Sequence, residues 1–236
     1  MSEPSPSDDE GYVGASNLEV MAVAKRYNAF LENMVINASG GAETALDFGA
    51  GGGEFARRTA SHGLTVTCVE PDTALRERLK REGFETAPDL SGIGPASRPY
   101  IYTLNVLEHI EDDVAALRDL FERVAPGGTL FIYVPAYQML YGSMDRLVGH
   151  HRRYTLSVLS KRVEAAGFAI QDSGYADPVG FFAALAHKFI GSDSGEISDR
   201  SVALFDTLAF PVSRALHRVT KRWFGKNVWV RARKPA

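Results

Sequence analysis

Thr44-Ala45-Leu46-Asp47-Phe48-Gly49-Ala50-Gly51-Gly52-Gly53-Glu54-Phe55 joins a short apolar run to a glycine-rich turn and then to a helix start. That order reads as a strand feeding a ligand-binding loop. Gly49, Gly51 and Gly53 allow positive φ and a close approach of backbone to ligand, and the first turn of the next helix offers free N–H groups. Further on, Thr65-Val66-Thr67-Cys68-Val69-Glu70 is a second apolar run ending in a carboxylate. At the tip of a neighbouring strand, Glu70 is placed to accept both hydroxyls of a ribose.

The spacing also separates nucleoside cofactors. A dinucleotide fingerprint wants a third glycine at position 54, where pyrophosphate sits against the helix; Glu54 stands there instead and repels it. S-adenosylmethionine (SAM) has a ribose but no phosphate, and its amino acid tail and cationic sulfonium escape that penalty. The loop therefore favours SAM over NAD, against the plainer alternative of a glycine-rich turn in an unrelated α/β protein.

With 236 residues, 45% of them hydrophobic, the chain suits one α/β domain with a cap and needs no metal or disulfide to hold it. Cys68, the single cysteine, falls inside the second strand and reads as a small core residue; a lone thiol suits a reducing cytoplasm. No secretory pattern opens the sequence, and its longest apolar stretches, such as Val179 to Ala186, are too short for a membrane span. A net charge of −3 and a pI near 6.1 argue against a dedicated nucleic-acid binder. The charge is uneven, however. Beyond Asp206 there is no acid, only Arg214, Arg218, Lys221, Arg222, Lys226, Arg231, Arg233 and Lys234, a tail that suits either phosphate groups or a solvated helix face.

Residues 1–15, rich in Ser, Pro, Asp and Gly, read as a disordered leader, and 16–236 as a single domain. Ser16-Asn17-Leu18-Glu19 has capping-box spacing and starts a helix to about Ala38, stopped by Gly40-Gly41. Strands are expected at 44–49, 64–69, 84–87, 100–105, 129–134, 168–174 and 227–233, and helices near 54–62, 72–82, 112–124 and 156–166. Pro126-Gly127-Gly128 turns into the fifth strand, while Thr155 and Gly167 start and stop the last of those helices. The alternation is that of an α/β fold, a mostly parallel seven-stranded sheet with helices on both faces. Residues 176–225 lack the rhythm and read as a helical cap inserted before the final strand, with Pro211 breaking or starting one of its helices.

Beside the glycine motif stand Val69-Glu70-Pro71-Asp72, Leu104-Asn105-Val106-Leu107-Glu108-His109-Ile110-Glu111-Asp112-Asp113 and Val124-Ala125-Pro126-Gly127-Gly128-Thr129-Leu130. In this order they resemble the motifs of class I SAM-dependent methyltransferases over nearly the whole chain. Arg26-Tyr27-Asn28, Leu140-Tyr141-Gly142-Ser143-Met144-Asp145 and Gly149-His150-His151-Arg152-Arg153-Tyr154-Thr155 are similar to a bacterial subgroup with a GHHRRY-type motif, linked to modification of sugars, glycans or secondary metabolites. Many of its members carry an Asn after the sixth strand, where this chain has Asp177.

The resemblance implies a Rossmann-like methyltransferase fold, SAM as donor and S-adenosylhomocysteine as product. It implies that Gly49, Gly51 and Gly53 line the methionine part, that Glu70 grips the ribose and Asn105 the amino acid tail, with Tyr27, Pro71 and Val106 in the same set. Asp89 would reach the adenine amino group or be a plain loop acid; Asp47 would touch cofactor or brace the loop; His109 would contact a ligand or cap its turn.

Methyl transfer from a sulfonium needs alignment and exclusion of water more than covalent help, but an alcohol acceptor gains from a base. The dense group Asp145, His150, His151, Arg152, Arg153 and Tyr154 supplies candidates: His150 or His151 as base, Asp145 orienting the imidazole, and Arg152, Arg153, Tyr141 and Tyr154 on the acceptor. Two other roles compete, tying the cap to the sheet and holding a divalent metal through Asp145, His150 and His151. Adjacent histidines rarely meet one ion without strain, so no metal is expected. Residues 178–190 and 199–224 are rich in Phe and Leu; they cover an acceptor pocket, or else make peripheral membrane contact with Arg214, Arg218, Lys221 and Arg222 towards anionic lipid. The expected activity is O-methylation of a small metabolite, sugar or glycan intermediate. N-methylation of a small amine and non-catalytic SAM binding by a regulatory subunit are the alternatives.

Overall fold

A computed structural model describes residues 23–190 and 199–236. Its strands are β1 (Thr44–Phe48), β2 (Thr65–Val69), β3 (Glu85–Ala87), β4 (Arg98–Leu104), β5 (Val124–Pro135), β6 (Ala169–Ala176) and β7 (Asn227–Arg233), joined in one sheet in the order β3-β2-β1-β4-β5-β7-β6. Only β7 runs antiparallel, slotted between β5 and β6. The chain steps outward from β1 to β2 and β3, then returns past β1 to lay down β4. The reversal leaves a crevice beyond the carboxyl ends of β1 and β4, the place where open α/β sheets bind ligands.

The helices are α1 (Lys25–Ala38), α2 (Glu54–Ser61), α3 (Thr73–Arg81), α4 (Asp113–Arg123), α5 (Ser143–Leu147), α6 (Leu156–Ala165), α7 (Pro178–Ile190), α8 (Asp199–Leu204) and α9 (Phe210–Thr220). A π-helical turn, Phe205–Ala209, joins α8 to α9, and Pro211 is the second residue of α9, directly after that turn. Alternation along the strands splits the apolar residues into two cores. Leu46, Ile101 and Ile132 face Leu117 and Leu120 of α4 and Leu159 and Val163 of α6. Ala45, Tyr102 and Phe131 face Leu31 and Val35 of α1, Ala56 of α2 and Phe210 of α9.

Four buried tyrosines thread this second core, and each hydroxyl has a partner, as desolvation demands. Tyr100 donates to the Val35 carbonyl at 2.7 Å, Tyr102 to Asp47 Oδ2 at 3.0 Å, and the hydroxyls of Tyr27 and Tyr133 lie 3.1 Å apart. The hydrogen bonds lock sheet to helix.

The expected leader and the Ser16–Glu19 capping box lie outside the described residues. As described, α1 starts at Lys25, and its cap comes from the far end of the chain. Asp206, in the π-helical turn, accepts the amide N–H groups of Arg26 at 2.9 Å and Tyr27 at 2.8 Å, satisfying donors that no intrahelical carbonyl can reach. Asp72, Asp112 and Thr155 cap α3, α4 and α6 from within their own segments. Two further differences from the sequence reading follow from backbone geometry. Strand β5 begins at Val124, opposite Arg98, and Ala125 to Gly128 bulge out before pairing resumes at Tyr100 and Thr129, so the Pro-Gly-Gly turn interrupts the strand and does not precede it. Asn105 falls off the end of β4 with φ +53, so the fourth strand stops at Leu104.

Candidate active site

The glycine loop leaves β1 through Gly49, whose φ of +82 suits glycine and whose amide donates to the Val69 carbonyl at 2.9 Å. A Cβ on Gly49 would lie 2.3 Å from Val106 Cγ2, so the loop after β1 and the turn after β4 touch only because this residue has no side chain. Gly53, at φ +80, is the residue from which α2 springs. The Glu70 carboxylate, 7% exposed, closes the far side: Oε2 accepts the Gly51 amide at 2.7 Å and Oε1 the Asp72 amide at 2.9 Å. Each oxygen keeps a second lone pair for a ligand hydroxyl.

Gly49, Gly51, Gly53, Glu70, Asn105 and Val106 thus gather at the crevice, with Pro71 exposed at its lip. Other residues from the expected cofactor set have different surroundings. Asp47 is buried beneath the loop on the Tyr102 hydroxyl; burial first, and then the charge of Glu70, lift its carboxyl to about 7 although the Tyr102 hydrogen bond pulls the other way. Tyr27 is in the core between Tyr133 and the edge of Phe210. Asp89 is exposed and caps a short turn through the Ser91 amide at 2.7 Å, a bond that lowers its pKa.

The second group assembles around Asp145 in the first turn of α5. This carboxylate is 1% exposed and receives His150 Nδ1 at 2.7 Å, Arg153 Nε at 2.8 Å and Nη2 at 2.9 Å, and the Gly142 amide at 2.9 Å. Burial pushes its pKa up, but the hydrogen bonds from His150 and Arg153 and the guanidinium charge more than offset that and hold it at about 2. His150 therefore has one ring nitrogen fixed on an anion and the other free to act. Its Nε2 points to within 3.8 Å of Glu108 Oε1, and its ring meets that of His109 edge-on at 4.6 Å. His109 is kept neutral by burial and by the neighbouring His150, with a pKa of about 4.

His151 is set apart: its side chain is exposed and its amide donates to the Glu108 carbonyl at 2.8 Å. The polar ends of the four expected acceptor residues are turned on the protein. Tyr141 donates to the His150 carbonyl at 2.6 Å; Arg152 donates to the carbonyls of Ile110 and Glu111 and pairs with Asp113 at 3.2 Å. Arg153 clamps Asp145, and Tyr154, 1% exposed, donates to Asp113 Oδ2 at 2.6 Å. These contacts brace the segment against the turn after β4.

Glu108 is the site residue that the sequence reading passed over. It is 0% exposed, neither oxygen has a hydrogen-bond partner, and burial raises its pKa to about 8. Its sequence signal is a carboxylate between Leu107 and His109 in the turn after the fourth strand. Ligand atoms of Glu108, His109 and His150 all lie within 4.8 Å of one another.

Comparison with known proteins bears on the family and the fold. A family model described as a methyltransferase domain matches residues 22–173, well over half of the chain. The chain is 28% identical over 163 residues to the ubiquinone biosynthesis O-methyltransferase of Aeromonas salmonicida, covering 58% of this chain and 68% of that one. Among solved structures, phosphoethanolamine N-methyltransferase 2 of Haemonchus contortus in complex with SAM superposes with a TM-score of 0.61 at 18% identity, over 100% of this chain and 63% of that one. A SAM-dependent methyltransferase from Archaeoglobus fulgidus gives 0.59 at 15% identity, over 89% and 94%. At such identities the structural likeness is one of fold. It is the match over residues 22–173, laid on a Rossmann-like sheet with its glycine loop at the switch point, by which the chain belongs to the methyltransferase-domain family as a SAM-dependent enzyme.

Proposed function

We propose that this methyltransferase acts on a hydroxyl of a small metabolite, sugar or glycan intermediate, within the bacterial subgroup that has the GHHRRY-type motif, in the cytoplasm. The observation that carries the oxygen acceptor is the Asp145–His150 pair at 2.7 Å. An alcohol must lose its proton as it is methylated, and an imidazole oriented by a buried carboxylate is suited to take it. Residues 178–190 and 199–224 act as a cap over the acceptor. The lone Cys68 is buried and unpaired, in keeping with a reducing compartment.

The crevice fits SAM on its own chemistry. The close approach at Gly49 leaves backbone, not side chains, to line the loop, and Glu70 sets a carboxylate beside it that opposes a pyrophosphate and suits a cation, while Glu54 at the start of α2 is paired with Arg58 at 2.7 Å. When bound, SAM supplies an activated methyl group on a positively charged sulfur. Glu70 would take the ribose hydroxyls on its spare lone pairs, while the first turn of α2 would direct N–H groups at the carboxylate tail. Asn105, exposed at the carboxyl end of β4, adds a side-chain amide to the same tail. His150 receives the acceptor proton at Nε2 while Asp145 stabilises the imidazolium through Nδ1. Arg153 fixes Asp145 from behind, and Glu108 sets a buried carboxyl beside the proton's destination.

A second reading concerns the same imidazole. The unpartnered oxygens of Glu108 beside His109 and His150 favour a divalent cation held by these three, with Asp145 behind His150 as its outer partner. The cation would then activate the hydroxyl in place of the imidazole. Calorimetry with SAM and S-adenosylhomocysteine, followed by turnover on a panel of alcohols and amines with and without chelator, tests all of this. Activity on alcohols that survives chelator and is lost in His150→Ala, with SAM binding intact, is expected. Loss with chelator transfers the role to the metal. Turnover of amines alone refutes the oxygen acceptor, and absence of turnover on every acceptor leaves a regulatory SAM-binding subunit.

A further inference from the structure

Helix α8, the π-helical turn and α9 form a rod whose inner side is made by Asp206, Phe210 and Ser213, all buried. Its outer side carries Leu204, Leu208, Val212, Leu216, Val219 and Trp223, spaced three or four residues apart and between 42% and 70% exposed. Such spacing puts them on one stripe. A soluble helix ordinarily spends that outer face on polar groups, and large apolar stripes left open mark interaction surfaces. Phe182 of α7, 57% exposed, lies next to the end of the stripe, its ring 5.6 Å from that of Phe224.

The charges on the same rod and turn say what covers it. Arg214, Arg218, Lys221 and Arg222 lie on the same rod and turn, and none forms an ion pair with a described residue. From residue 200 to the end of the chain the one acid is Asp206, which is turned inward to cap α1. A partner protein with a mixed surface would need carboxylates matched one by one to these cations. A sheet of anionic headgroups over hydrocarbon matches both features at once, charge for the arginines and apolar depth for the leucines and the indole. No helix among the described residues is long and apolar enough to cross a membrane, so the rod would lie flat.

We infer that the outer face of α8 and α9 docks the protein on a bilayer containing anionic phospholipid, with the apolar stripe inserted and the four cations at the headgroups. The inference is independent of the acceptor and of His150. Its geometry has one consequence for the site: Phe181, edge-on to Tyr137 at 5.5 Å, links this side of the cap to the carboxyl edge of the sheet, so a docked enzyme holds that edge close to the bilayer.

The test is flotation of the full chain with vesicles of phosphatidylcholine alone or mixed equally with phosphatidylglycerol, at low and high salt. Tryptophan emission gives a second readout, because Trp223 is 70% exposed whereas Trp229, the other indole, is 7% exposed. Binding to the mixed vesicles, a blue shift that disappears in Trp223→Phe, and weakening by high salt are expected. Arg214→Gln with Arg218→Gln should weaken binding at least tenfold, as should Val212→Ser with Val219→Ser, with SAM titration unchanged in all variants. Equal binding to both vesicle types, or none to either, overturns the inference. So does a dimer in size-exclusion chromatography that the serine variants dissociate while vesicle binding is absent, since the face would then belong to a second copy.

Discussion

Replacing Glu108 by Gln tests the electrostatics at the centre of the site. The carboxyl is fully buried and unpartnered, and burial raises its pKa from 4.5 to about 8. Below pH 4.5 it is neutral in both the folded and unfolded chain, and folding loses nothing through it. Between 4.5 and 8 the folded state binds a proton that the unfolded state has released, so stability falls as pH rises; above 8 the penalty is complete. At pH 7 the gap is roughly 2.5 pH units at about 1.36 kcal/mol each, on the order of 3 kcal/mol. The amide of Glu108→Gln has no such titration. It would also be unpartnered, an offset of about 1 kcal/mol or more that is the same at every pH. Urea unfolding from pH 5 to 8.5 should therefore show the wild type losing about 3 to 4 kcal/mol more than Glu108→Gln across the range. Parallel curves for the two proteins would refute the claim that Glu108 is buried as a neutral acid.

Other perturbations reach separate parts of the molecule. Gly49→Ala places a Cβ 2.3 Å from Val106 at a φ of +82, and SAM affinity measured by calorimetry should fall at least about tenfold, with the loop forced away from β4. Asp145→Asn leaves His150 without its anion, and kcat should drop about 100-fold or more while SAM affinity changes little. The same carboxylate, held at about 2, contributes stability that is whole above pH 3.8 and lost as pH falls towards 2, so acid unfolding of Asp145→Asn should lack that component. Gly180→Ala would set its methyl 1.8 Å from Asp177 Oδ2 and disrupt the cap of α7, lowering stability by about 2 kcal/mol or more in thermal or urea unfolding.

What was legible in the sequence was whatever a local pattern can carry. The glycine run, the acid closing the second apolar run and the alternation of strand and helix placed β1, β2 and the crevice, because turn chemistry and hydrophobic period are written within a few residues of where they act. The contacts that organise the rest join residues far apart in the chain. Asp206 caps α1 across almost the whole sequence, and Arg152, which looks like an anion binder beside two histidines, reaches back to Ile110, Glu111 and Asp113. Glu108 looked like any acid after a strand until folding removed its water. Backbone conformation was hidden in the same way. Asn105, Tyr137 and Asp177 all have φ between +53 and +60, a region that side chains other than glycine enter at a cost of about 1–2 kcal/mol, and no composition rule would mark a tyrosine there. They follow β4, β5 and β6, so the three strained residues line one edge of the sheet, the edge that also carries the glycine loop. Each is held by tertiary bonds: Asn105 by the Tyr133 carbonyl, Tyr137 by Tyr154 and a stacked Tyr175, Asp177 by Ser213 and the Gly180 amide. Packing elsewhere in the fold has to hold these conformations, which is why the edge breaks local rules that the rest of the chain obeys.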